Sequence, residues 1–194
     1  GDVYKRQAED GTAVIPALGG HKGANDLSLK LADFLEIKAS ITTASDLHYN
    51  VALDAPPAQF YLVNTKDYKC FMKNLLSGEE VSLDGYLPWL KNTGIPVSRD
   101  GKLKIRSTHQ NEIGNQFELI YNSESLAVGV GCERGTSINE LISLVQTTLE
   151  NNNLSKASVA VFVSIEQKMD EIAINAIADF FNKPLRFFDS VTLE

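Results

Sequence analysis

Cysteine is scarce: Cys70 and Cys132 are the only two in 194 residues, far apart and outside any CxxC pair. Neither a disulfide framework nor a cysteine zinc site is indicated. Histidine is as sparse, and His21, His48 and His109 are too scattered to form a metal site by spacing, so no metal is assigned. No stretch approaches the roughly 18 to 20 unbroken apolar residues of a membrane span, and Gly1 to Gln7 has no apolar core for a signal peptide. A cytoplasmic chain without a membrane partner is expected. Basic charge is also short: 18 Lys and Arg stand against 25 Asp and Glu, a net charge of -7, and the basic residues do not cluster. Nucleic acid is therefore not an expected partner. What remains, 43% apolar and 22% charged residues, is the balance of a folded soluble protein and excludes disorder, collagen and coiled coil.

The patterning predicts an α/β protein: two partial parallel β-α-β units, N-terminal and C-terminal, joined by a small α+β middle module. In the first unit (residues 1–46), Thr12 to Leu18 reads as a strand stopped by Gly19-Gly20. Leu27, Leu31, Phe34 and Leu35 then follow at helical spacing behind Asn25 as a plausible N-cap, and Ile37 to Thr42 begins a second strand. Residues 1–7 do not lead into that strand and read as a possible cloning or assembly scar. The middle module (47–123) carries a helix with Tyr68, Phe71, Met72, Leu75 and Leu76, closed by Gly78, and short strands at Leu103 to Arg106 and Phe117 to Tyr121. The C-terminal unit (124–194) repeats the first grammar. Leu126 to Val130 is a strand, Gly131 to Gly135 a turn, and Ile138, Leu141, Ile142, Val145 and Leu149 a helical stripe. Val159 to Val163 is a fully apolar strand, as in a parallel sheet; Ile172, Ile174, Ile177, Phe180 and Phe181 line the next helix before Pro184 to Phe188. The N-terminal unit looks cut short, since one β-α-β unit cannot bury a core by itself.

The two glycine turns mirror each other. Gly19-Gly20-His21-Lys22-Gly23-Ala24-Asn25 lies over Gly131-Cys132-Glu133-Arg134-Gly135-Thr136-Ser137, with glycine at the first and fifth places, Lys22 over Arg134 and His21 over Glu133. Both turns belong at the carboxyl ends of parallel strands, where open α/β sheets bind ligands and a helix N-terminus offers backbone N–H groups to an anion. Glycine at such a place also serves a sharp strand-to-helix turn, but a cation beside a titratable group is hard to explain by packing. Thr42, Thr43 and Asp46 are expected at the same sheet edge as His21, although Asp46 also suits a turn cap. Cys132 fits either a small buried thiol or a nucleophile at a strand end. The common nucleotide signatures do not match: the last glycine of Gly129 to Gly135 comes one residue late for GxGxxG, and Gly23 follows Lys22 where a P-loop requires Ser or Thr.

Three blocks together resemble the cobalt-precorrin-5A hydrolase family, cobalamin biosynthesis protein G: Leu18 to Asn25 running on to Ile41 to Asp46, Val128 to Thr136, and Ser164 to Glu171 with Pro184 to Phe188. The resemblance implies opening of the ring A δ-lactone of a cobalt corrinoid and loss of C20 with its methyl group as acetaldehyde. His21 would then be the catalytic base, with Glu133 as alternate. Gly19, Gly20, Lys22, Gly23, Asn25, Thr42, Thr43, Asp46, Gly131, Cys132, Arg134, Gly135 and Thr136 would bind the carboxylate-rich substrate. No cofactor is expected, because the cobalt arrives inside the substrate. A non-catalytic module that binds a tetrapyrrole or another polyanion is the chief rival, and a nucleotide-binding α/β enzyme comes third.

Overall fold

The computed structural model describes residues 5–7, 13–16, 24–39 and 49–189. In the N-terminal unit, strand β2 (Ala13–Pro16), helix α1 (Ala24–Phe34) and strand β3 (Lys38–Ala39) form the expected β-α-β, with β2 and β3 parallel. Strand β1 (Lys5–Gln7) pairs antiparallel with β2. Helix α1 begins at Ala24, which places Asn25 in its first turn rather than at its N-cap. Its apolar stripe is also not what it buries: Ser28 and Ala32 are buried while Leu27, Leu35 and especially Phe34, at 82% exposure, face outward. Small side chains four residues apart let the helix lie closely on a sheet, which is the physical reason for the exchange.

The middle module is a four-stranded mixed sheet in the order β4-β7-β6-β5. Strand β4 (Phe60–Leu62) is antiparallel to β7 (Glu118–Ser123), whereas β7, β6 (Leu103–Thr108) and β5 (Val81–Asp84) run parallel. Helix α2 (Tyr68–Leu76) buries Phe71, Met72 and Leu75 and leaves Leu76 exposed; Gly78, at φ +98°, ends it as a left-handed C-terminal glycine should. Phe71, Leu75, Leu103, Ile105 and Tyr121 sit in one core, with Trp89 edge-on to Tyr121 at 5.4 Å.

The C-terminal unit has three parallel strands, β8 (Leu126–Gly129), β9 (Val159–Ile165) and β10 (Leu185–Phe188), with β9 central. Helix α3 (Ile138–Asn151) joins β8 to β9, and α4 (Ile172–Phe181) joins β9 to β10. Sequential parallel strands with right-handed crossovers put both helices on one face. Leu141, Val145 and Leu149 of α3 pack there with Ile174 and Ile177 of α4 and Phe162 of β9 in a second core. Ile138, Ile172 and Phe180, expected in the buried stripes, are exposed at the helix margins. Asn152 and Asn153 end α3, the latter at φ +53°.

Candidate functional site

The turn between β8 and α3 stands at the carboxyl end of the sheet, and Gly131, Glu133, Arg134, Gly135 and Ser137 are exposed, with Cys132 and Thr136 half-buried. The strand is carried one residue past Gly129, where the Val130 N–H donates to Val163 O at 2.9 Å and Val130 O accepts from Ser164 Oγ at 2.8 Å. The chain then leaves the sheet. Thr136 closes the turn on Glu133: its N–H and its Oγ1 both donate to Glu133 O, at 3.3 Å and 2.8 Å. Gly135 sits at φ +79°, the left-handed region where a side chain is strained. Gly131 has an ordinary φ and open space where a Cβ would stand, so no feature of the ligand-free fold demands glycine there.

Two of the turn's polar groups are engaged from across the sheet end. The Arg134 guanidinium donates to Asp170 Oδ2 at 2.9 Å and to Gln167 O at 3.4 Å. The Gly135 N–H donates to Glu171 Oε1 at 3.2 Å. Arg134 is therefore not the unpaired cation that its sequence position suggested. Its pair is open to water, the side chains being 65% and 68% exposed, so it is screened and readily exchanged. The hydrogen bond and charge of Asp170 raise the Arg134 pKa, and those of Arg134 lower the Asp170 carboxyl. Glu171 is different, being only 6% exposed. It occupies the N-cap position of α4, yet its side chain makes no capping bond there and reaches Gly135 instead, tying the turn to the neighbouring helix.

The turn lines a cleft of about 600 Å³ together with Glu140, Leu141 and Leu144 of α3. Ser137 precedes α3 without a side-chain cap, so the first-turn N–H groups of the helix are offered to whatever occupies the cleft. The arrangement suits an anionic group: backbone donors, an exchangeable guanidinium and the positive end of a fourteen-residue helix. Asp170, Gln167 and Glu171 were missed as contributors in the sequence. An acidic pair before a helical stripe reads as a cap, and only the fold brings it opposite Arg134.

Asn25 falls in α1. Gly19, Gly20, His21, Lys22, Gly23, Thr42, Thr43 and Asp46 lie outside the described residues. Among the described residues no group of three or more His, Cys, Asp or Glu is placed to hold a metal ion. No described helix is long and apolar enough to cross a membrane.

These features define an α/β protein with an exposed glycine turn at the carboxyl end of its C-terminal sheet. Residues 126–194 match the family described as cobalamin synthesis G C-terminus, and residues 7–46 match cobalamin synthesis G N-terminal. The chain belongs to the cobalamin synthesis G family, whose members include proteins named cobalt-precorrin-5A hydrolase. One such protein, from Priestia megaterium, is 27% identical over 196 residues, covering 88% of this chain and 52% of its own length. A probable cobalt-precorrin-5A hydrolase from Methanocaldococcus jannaschii is 23% identical, covering 90% of this chain and 53% of its own. Protein CobE from Sinorhizobium sp is 35% identical over 69 residues, 36% of this chain and 45% of that protein. The chain thus spans about half the length of the curated relatives it matches. A solved cobalamin biosynthesis protein G homolog from Sulfolobus solfataricus is 20% identical with a TM-score of 0.33, over 98% of this chain and 58% of that one.

Proposed function

We propose that the protein acts in cobalamin biosynthesis on a cobalt corrinoid, opening the ring A δ-lactone of cobalt-precorrin-5A and releasing C20 as acetaldehyde. The observation that carries this reading is the exposed Gly131–Thr136 turn, with the exchangeable Arg134 and the uncapped N-terminus of α3 beside it, in a chain of this family. A corrinoid with acetate and propionate groups gives an acidic protein of net charge -7 little general attraction, so local donors must hold it. Water adds to the lactone carbonyl, and the oxyanion is held by backbone N–H groups of Gly20 and His21. The ring opens to a carboxylate and a C20 hydroxyl. His21 takes the proton from water and returns it to the leaving oxygen. The hydroxyl proton is then removed, the bond from C20 to the ring breaks, and its electron pair passes to the macrocycle as acetaldehyde departs. The cobalt is part of the substrate.

The test is acetaldehyde release from cobalt-precorrin-5A. His21→Ala should lower turnover by about a hundredfold or more while the substrate still binds. An unchanged rate transfers the role of base to Glu133. A second reading, a tetrapyrrole- or polyanion-binding module without catalysis, is favoured by the exposed turn and the uncapped start of α3, which serve binding without requiring a base. Corrinoid binding without any acetaldehyde is the outcome that would select it.

A further inference from the structure

A second cleft adjoins the first across Gly131 and Cys132. It has a volume of about 370 Å³ and lies at the carboxyl ends of all three strands of the C-terminal sheet, floored by Gly129, Val163, Ile165 and Phe188. The register explains why these residues meet. Val163 pairs with Gly129 on one side, and Ile165 pairs with Phe188 on the other, so their side chains share the face opposite α3 and α4. The alternate positions Phe162, Leu185 and Phe187 point into the core. The floor is nearly all carbon, but its rim is not. Lys168 lines the mouth, and exposed Arg186, in register with Val163, stands beside the floor. Neither enters an ion pair among the described residues, although Asp170, bound to Arg134, lies within Coulombic reach of Lys168.

We infer that this cleft seats the flat ring of the corrinoid, with Lys168 and the Gly131–Thr136 turn holding carboxylates at the ring's edge. The inference rests on the corrinoid reading above and adds to it a place and an orientation for the ligand. The argument is one of complementary chemistry. An apolar floor bordered by a lysine, an arginine and a donor turn matches a ligand that is apolar across its face and anionic around its rim. Of the two residues shared by the clefts, Gly131 carries no side chain, and space is open at its Cβ position. A ring can therefore approach the backbone there.

Titration of the full chain with two cobalt corrinoids tests this: cobyrinic acid, with free carboxylates, and its heptamethyl ester, which has the same ring and no rim charge. Ile165→Asp puts a carboxylate on the floor at a side chain already 37% exposed, and should weaken both ligands by about tenfold or more. Lys168→Ala should weaken the acid by about tenfold and the ester by less than about twofold. If the parent binds the acid and both variants bind it equally well, the seat is elsewhere while the corrinoid reading stands. If the parent binds neither corrinoid, the corrinoid reading itself fails, and the seat with it. Should Ile165→Asp unfold the protein while Lys168→Ala binds the acid like the parent, polypeptide and not ligand covers the floor, and the inference is overturned.

Discussion

Arg134 and Gly135 show how a residue's surroundings change what its sequence position suggests. Arginine before a left-handed glycine at a helix entrance looks like an anion hook, yet here the hook is already closed on Asp170 and the Gly135 N–H on Glu171. The turn was legible from its glycines; its partners were not, because Asp170 and Glu171 lie 36 residues downstream of Arg134 and Gly135. Replacing Arg134 by Ala should weaken cobyrinic acid binding by roughly tenfold at low salt and leave the melting temperature unchanged, since the exposed pair is screened in the free protein. Equal binding by variant and parent would make the turn a structural corner. The two glycines should separate in a different way. Gly135→Ala must hold a φ near +79° and should cost about 1 to 2 kcal/mol in chemical denaturation. Gly131→Ala meets no atom within 4 Å and should leave stability as it was while weakening the ligand.

Among the elements, those with an unbroken apolar run or a regular helical stripe were the most legible. Strand β9 is apolar from Val159 to Val163, as suits the central strand of a parallel sheet, and α3 buries Leu141, Val145 and Leu149 at the expected spacing. Helix α1 misled for the converse reason: its large apolar residues are not the ones pressed on the sheet, and spacing alone does not say which face is pressed. The linkers ahead of β8 and β10 carry a cluster that periodicity could not reveal. Glu124 Oε1 accepts from Lys183 Nζ at 2.7 Å and from Tyr61 OH at 2.5 Å, and the ammonium lies 5.6 Å from the Tyr61 ring centre. Partial burial would by itself raise the Glu124 carboxyl; the hydrogen bonds from Lys183 and Tyr61 outweigh it, and the net direction is down. A carboxyl lowered on folding adds stability above its unfolded value, and that increment is lost as pH falls through the folded value. Thermal unfolding followed from neutral pH to below the ordinary glutamate range should therefore lose stability more steeply in the parent than in Glu124→Gln. Parallel acid limbs would deny the cluster a stabilising role.

At the scale of the molecule, the middle module and the C-terminal unit keep separate cores and are joined by a polar seam. Ser155 Oγ donates to Asn122 Oδ1 at 2.7 Å, and the Asn122 amide donates to Thr108 O at 3.1 Å and Gln110 O at 3.0 Å. The backbone continues the join, with the Ser155 N–H on His109 O at 2.9 Å and the Asn111 N–H on Asn153 O at 2.8 Å. Asn122 and Ser155 are both buried, so deleting one strands the polar atoms of the other, and Asn122→Ala should cost about 1 to 3 kcal/mol. Its larger effect should be on cooperativity, because two cores joined mainly by polar contacts unfold together only while those contacts hold. Trp89, the only tryptophan, packs against the middle core and reports on that module alone, whereas far-UV circular dichroism reports on every helix and strand. In the parent the two signals should melt at one temperature. In Asn122→Ala they should part by several degrees, with tryptophan fluorescence and ellipticity no longer superimposable. Coincident transitions in the variant would mean that the Tyr61, Glu124 and Lys183 cluster carries the coupling, and the same pair of signals in Glu124→Gln would then be the ones to separate.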